Sequence, residues 1–166
     1  MAFGTDAKVT ANITAQSRKV TDKCLIIKLT PNATAIADIA LAAENEGADG
    51  VSVINTLVGM AVYIVTKKPK LSTIRGGLSG PAIKPIAIAK VFEVARAVKI
   101  PVIGIGGIMN IDDVLEFLIT GATAIQVGTA NFITPNISEQ LISDLESYCQ
   151  KNEIRSISEI IGSLKV

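Results

Sequence analysis

The sequence predicts an α/β fold, half of a (β/α)8 barrel: four parallel strands alternating with helices, and a small hairpin inserted among them. Three observations carry this. Apolar runs of strand length alternate with helix-like stretches along 166 residues, the spacing of βα units around a parallel sheet. Ala, Ile and Val dominate a composition that is 49% hydrophobic, as strands covered on both faces require. Two consecutive units end in glycine, at Val102–Gly107 and Ala124–Thr129. A strand that stops at glycine leaves bare backbone N–H groups and no Cβ to keep an anion away. Paired ends of this kind grip phosphate at the loops after the last two strands of such barrels. A closed barrel takes eight strands in about 250 residues.

The elements follow in order. Thr5 or Asp6 caps a first helix running to about Val20, with Val9, Ile13 and Val20 on one face. A strand at Cys24–Leu29 is closed by Thr30-Pro-Asn32, where proline stops further pairing. A helix over Ala35–Glu46 turns Ile36, Ile39, Ala40 and Ala43 inward, and Gly47 ends it. The second strand is Gly50–Asn55. Met60–Thr66 and Pro69–Thr73 flank Lys67-Lys68 as a hairpin above that strand. A helix begins near Lys84-Pro85, with proline suited to its first turn, and reaches Val98. Val102–Ile105, the helix Ile111–Thr120 behind an Asn110 cap, and Ala124–Val127 complete the sheet. Ser138–Gln150 and Ser156–Ile161 are closing helices. The whole of 1–166 reads as one domain, a partial barrel.

Composition excludes several functions. Net charge is +1 and aromatics are 4%, with no basic cluster, so nucleic acid is not an expected partner. The longest uncharged stretches, Val51–Thr66 and Leu118–Ser138, are broken by Asn, Thr, Gly and Pro and suit a membrane span of about 20 mainly apolar residues poorly. The N-terminus shows no secretory pattern. A cytoplasmic setting is expected. Cys24 and Cys149 stand far apart and read as inert thiols, and the chain has no histidine. No metal site, imidazole base or Ser-His triad is therefore expected.

Lys28 sits inside the apolar run Leu25–Leu29. Lysine is seldom buried unpaired, and at the mouth of a barrel its ammonium can stabilise developing negative charge. Asn55-Thr56 ends the second strand; it serves either as an ordinary loop cap or as an amide and hydroxyl suited to an imide ring. Arg75–Pro81 lacks the spacing of a nucleoside triphosphate loop and reads as a tight turn or as a backbone nest for an anion. Lys84 reads as a solvated charge, and Asp112-Asp113 as a complement to the helix macrodipole.

Taken together, Ile27–Asn32, Ala48–Gly50 with Ile54–Leu57, Gly76–Pro85, Ile103–Gly107 and Val127–Phe132 resemble the dihydroorotate dehydrogenases, in particular the bacterial NAD-linked type. The resemblance covers essentially the whole chain and implies the C-terminal half of a (β/α)8 TIM barrel. It implies FMN as cofactor and oxidation of dihydroorotate to orotate in pyrimidine (UMP) biosynthesis. By position, Lys28 would contact the flavin pyrimidine ring and stabilise its reduced anion, and Ile54 would pack beside it. Gly80, Gly106, Gly107, Gly128 and Thr129 would hold the ribityl phosphate end. Asn55 and Thr56 would hydrogen-bond the orotate ring.

In this type the catalytic base is a cysteine just upstream of the motif Ala2–Asp6. The sequence begins at Met1, so that cysteine and the first four strands are expected to lie outside it. No catalytic residue is assigned within the chain, and it is expected to be incomplete alone. The expected macromolecular partners are the missing N-terminal half-barrel or a second copy, and a subunit carrying FAD and an iron–sulfur cluster that passes electrons to NAD. Two other readings share these motifs: a dihydropyrimidine dehydrogenase-like FMN enzyme fragment, and a non-catalytic half-barrel that binds phosphate or FMN.

Overall fold

The computed structural model describes residues 3–165. Met1 and Ala2, at the head of the motif Ala2–Asp6, lie outside the described residues. Along the chain run α1 (Ala7–Arg18), β1 (Ile26–Leu29), α2 (Ile36–Asn45), β2 (Gly50–Val53), β3 (Leu57–Gly59), β4 (Val62–Tyr63), β5 (Lys68–Pro69) and β6 (Gly76–Leu78). There follow α3 (Lys84–Ala95), β7 (Val102–Ile105), α4 (Ile111–Ile119), β8 (Ala124–Gln126) and α5 (Ile137–Lys151). β1, β2, β7 and β8 pair in that order, all parallel. The predicted half-barrel sheet is thus present, with each strand start and end within about two residues of expectation.

The two faces of this sheet differ. Leu29, Val51, Val53 and Val102 point to the helices and are at most 2% exposed. Phe117 of α4 lies directly on the backbone of Gly104, where a Cβ would stand 2.5 Å from its ring. On the opposite face, the inside of the barrel curve, Ile26, Lys28, Ala124 and Gln126 are exposed. The helices form an arc in which each touches the next, from α1 through α2, α3 and α4 to α5. Among the described residues five α-helices therefore flank the four parallel strands, with α1 beyond the β1 edge and α5 beyond the β8 edge. No helix among the described residues is long and apolar enough to cross a membrane.

Several expectations need correction. Asp6 caps α1 as predicted, accepting from Val9 N at 2.9 Å, but the buried face carries Thr10 and Thr14, while Ile13 is 43% and Val20 84% exposed. The helix ends at Arg18, so Val20 cannot share its face. Arg18 reaches the carbonyls of Thr21, Lys23 and Gly47 instead. Thr14 Oγ1 satisfies itself on Thr10 O at 2.9 Å, which lets its small side chain pack within the α1–α2 contact. Leu25 does not join β1, because its N–H donates to the Asp49 carboxylate at 2.7 Å.

The inserted hairpin is also shorter than its β-branched residues suggest. Val62 pairs with Pro69 and Tyr63 with Lys68, leaving Ile64–Lys67 as the turn, with Lys67 at φ +54°. A second rung below it pairs Leu57–Gly59 with Gly76–Leu78. Gly76–Leu78, within the segment Arg75–Pro81 read as a tight turn or a nest, is therefore strand.

Candidate anion and cofactor site

The C-terminal ends of the four parallel strands open into one cavity of about 270 Å³. Lys28, Ile54, Asn55, Thr56, Gly80, Gly106, Gly107, Gly128 and Thr129 all line it. Every candidate residue drawn from the sequence thus meets in one place, although they come from segments separated by up to a hundred positions. Parallel strands bring their C-terminal ends to one rim, and that rim is where the loops of such a sheet gather.

Each group is placed by a local cause. Lys28 is the last inward residue of β1, and none of the ion pairs engages it. Among the described residues it is the one cation lining the cavity, and no carboxylate among them lines it. Ile54 is 2% exposed and follows Val53 through a cis peptide bond. Asn55 is exposed; its Oδ1 accepts from Thr56 N at 2.8 Å, which leaves the amide NH2 to donate. Asn32 fixes the same loop, donating to Thr56 O at 3.0 Å and accepting from Val58 N at 2.9 Å.

The glycines at the far wall meet closely. Gly80 and Gly107 have φ of +85° and +80°, and a Cβ on Gly107 would lie 2.9 Å from Gly80 O and from Lys84 N. Only glycine satisfies both demands there. By contrast, a Cβ on Gly128 would meet nothing within 4 Å, so its backbone borders open space. Among the described residues, the N–H groups of Gly106, Gly107 and Gly128 reach no carbonyl outside regular structure. Thr129 Oγ1 donates to Ser79 Oγ at 2.9 Å. Unpaired N–H donors, two hydroxyls and an ammonium without a nearby carboxylate are chemically suited to an anion.

Sequence reasoning missed Ser79, Met109 and Gln126, which also line the cavity. Ser79 was legible as the neighbour of Gly80, but Gln126 was hidden because an inward polar residue in a short apolar strand carries no local signal. One charge was misread, Lys84, while Asp113 does sit in the first turn of α4 as expected and has a further role. Lys84 is an ion-pair partner of Asp113 at 2.6 Å and of Glu116 at 3.0 Å. Asp113 is 5% exposed and forms a capping box with Asn110. Burial alone would push the Asp113 carboxyl up; the Lys84 hydrogen bond and the N–H of Met109 outweigh it and hold it below the usual carboxylate value. The hydrogen bonds to Asp113 and then Glu116 hold the Lys84 ammonium above its ordinary value. Cys24 and Cys149 are free thiols away from the cavity, and no metal-binding cluster occurs among the described residues.

The family model of dihydroorotate dehydrogenase matches residues 1–149. The chain belongs to the dihydroorotate dehydrogenase family. It is 52% identical over 166 residues to the dihydroorotate dehydrogenase B (NAD(+)) catalytic subunit of Bacteroides fragilis, covering 100% of this chain and 55% of that protein. Against the same-named subunit of Thermoanaerobacter sp. (strain X514) it is 54% identical over 166 residues, 100% of this chain and 55% of the relative. For that of Geobacter metallireducens the identity is 49%, over 100% of this chain and 54% of the relative. The chain spans about half the length of the curated relatives it matches. Its membership of the dihydroorotate dehydrogenase family agrees with a sheet that holds four of the strands of a barrel.

Proposed function

We propose that residues 1–166 form one domain, the FMN phosphate-binding side of a dihydroorotate dehydrogenase barrel that oxidises dihydroorotate to orotate in pyrimidine biosynthesis. The observation that carries this is the convergence of Lys28, Asn55, Thr56 and the glycines 80, 106, 107 and 128 on one cavity free of carboxylates. The residues fit the cofactor: the open space beside Gly128 and the unpaired N–H groups suit a phosphate, and Thr129 with Ser79 adds hydroxyl partners. FMN, when bound, supplies a two-electron acceptor. Lys28 would hold its positive charge against the ring, with no carboxylate among the described residues beside it. Ile54 covers the ring edge with apolar surface, while Asn55 donates from its NH2 to a substrate carbonyl and Thr56 adds a hydroxyl beside it.

The dihydropyrimidine dehydrogenase-like reading is less favoured, since the relatives above all carry the dihydroorotate name. Among the described residues no Cys, Asp or Glu lines the cavity, so the group that removes the substrate proton is assigned to the complementary strands. Those strands are best supplied by a distinct segment. A closed barrel holds eight strands and eight helices; the described residues already place five helices around four strands. Three helix positions remain, and a second copy would bring five to them. The exposed inner face and the β1 and β8 edges therefore suit a four-strand, three-helix complement better than self-association. In the relatives' terms, a catalytic subunit that uses NAD(+) implies a further electron-transfer subunit, for which FAD and an iron–sulfur cluster are proposed, in the cytoplasm.

The test is co-expression of residues 1–166 with the complementary barrel half, followed by an absorbance spectrum and dihydroorotate addition. Yellow protein that bleaches with dihydroorotate is the expected result. A soluble, assembled barrel without flavin, or one that dihydrouracil bleaches and dihydroorotate does not, overturns the reading.

A further inference from the structure

The loop that carries the phosphate-facing glycines, Gly106 to Asn110, lies between the first turn of α3 and an ion pair that joins α3 to α4. On one side Gly107 is pressed against the first turn of α3, within 2.9 Å of Lys84 N measured from the place of its absent Cβ. On the other side the N–H groups of Met109 and Asn110 donate to Asp113 Oδ2 at 2.7 and 3.1 Å. The remaining oxygen, Asp113 Oδ1, accepts from Lys84 Nζ at 2.6 Å. Asn110 closes the far end by accepting from Asp113 N at 3.0 Å. The first turns of α3 and α4 are thus joined across the loop by Lys84 and Asp113.

We propose that Lys84 and Asp113 are a positioning pair for the cofactor phosphate, setting the aim of the Gly106 and Gly107 N–H donors without touching the phosphate themselves. This rests on the reading of the cavity as an FMN site. The geometry gives the pair two tasks. Asp113 orders the end of the loop at Met109, which itself lines the cavity, and donors that are already aimed need no ordering when the anion arrives. Lys84 also neutralises a carboxylate that is 5% exposed and one hydrogen bond away from the loop. Left unpaired, that charge would repel a dianion through a low-dielectric wall. Glu116, whose side chain is 47% exposed, adds little to either task.

The assay compares FMN with riboflavin, which lacks the phosphate, by fluorescence titration of the complete barrel. Lys84→Met and Asp113→Asn are expected to weaken FMN by about tenfold or more, the scale of one lost charge-assisted hydrogen bond. Riboflavin binding should stay within about twofold, because the phosphate site plays no part in it. Lys84→Arg should restore most of the FMN preference, since it keeps the charge and the donors. Lys84 has a side chain 26% exposed, so its variants carry the test even where Asp113→Asn does not fold. Equal loss of FMN and riboflavin, or no loss of either, overturns the positioning role while leaving the cofactor reading intact. An unsubstituted barrel that binds FMN no better than riboflavin overturns the phosphate reading, and the proposal with it.

Discussion

Ser52 and Gln126 meet at 2.8 Å on the inner face of the sheet, although β7 separates their strands. Ser52 is 2% exposed, and its hydroxyl donates to the Gln126 carbonyl oxygen, which fixes a long side chain in the floor of the cavity. Ser52→Ala should cost about 1 kcal/mol, the usual net worth of one such bond, because the exposed Gln126 regains water. The same variant should weaken flavin binding a few-fold through a mobile Gln126. Denaturant unfolding and an FMN titration of the complete barrel check both. A loss of stability with no change in affinity would remove Gln126 from the floor of the site.

Packing of α4 on the sheet depends on the missing side chain of Gly104. A methyl group there would stand 2.5 Å from Phe117 Cδ1 and 3.2 Å from Ala122 Cβ, and Phe117 is fully buried. Gly104→Ala is expected to destabilise by about 1–3 kcal/mol through overpacking. Phe117→Leu in the same chain should recover part of that loss, so a double-mutant cycle should show coupling. Additive effects would mean that the helix, not the ring, takes up the strain.

The glycines of the far wall divide into two kinds that substitution separates. Gly107→Ala forces a Cβ to within 2.9 Å of backbone on two sides at φ +80°, so the fold and flavin binding should both suffer. Gly128→Ala meets no atom within 4 Å; it should melt like the unsubstituted protein yet bind FMN poorly, because its methyl enters the space reserved for phosphate. Thermal melting with flavin titration distinguishes them. Undiminished FMN binding by Gly128→Ala would place the phosphate elsewhere.

Much of this was legible because the signals were local. A four-residue apolar run ending in Gly-Gly gives β7 to the residue, and Asn110 three positions before Asp113 gives the capping box its ends. Seven of the nine predicted cavity residues were found for the same reason: strand ends carry the polar and glycine positions, and parallel pairing brings those ends together; Ile54 and Gly80 came from the family resemblance. What was hidden depends on partners distant in sequence. The inward face of α1 could not be read from Val9, Ile13 and Val20, because close contact with α2 favours the smaller Thr10 and Thr14. Lys84 looked solvated because Asp113 lies 29 positions away. The hairpin turn fell on Ile64–Lys67 since strand propensity is overridden wherever the chain must reverse.

The Lys84–Asp113 pair also fixes a pH dependence, whose sign follows from the two shifts. Asp113 is held below its ordinary 3.8, so its contribution is present above that value and is lost as pH falls through the lowered native value. Lys84 is held above its ordinary 10.5; its contribution is complete below that value and is lost as pH rises through the raised native one. The pair therefore stabilises the barrel across the range between these limits. Other carboxylates share the acid limb, among them Asp49, which the Leu25 N–H and then Arg18 hold below its ordinary value. The diagnostic quantity is the difference in melting temperature between the unsubstituted protein and Asp113→Asn. It should be widest and flat from about pH 5 to 9, and shrink towards zero in acid as Asp113 itself takes up a proton. A difference that persists unchanged in acid would show that the two backbone N–H groups, rather than the charge on Asp113 and Lys84, hold the loop.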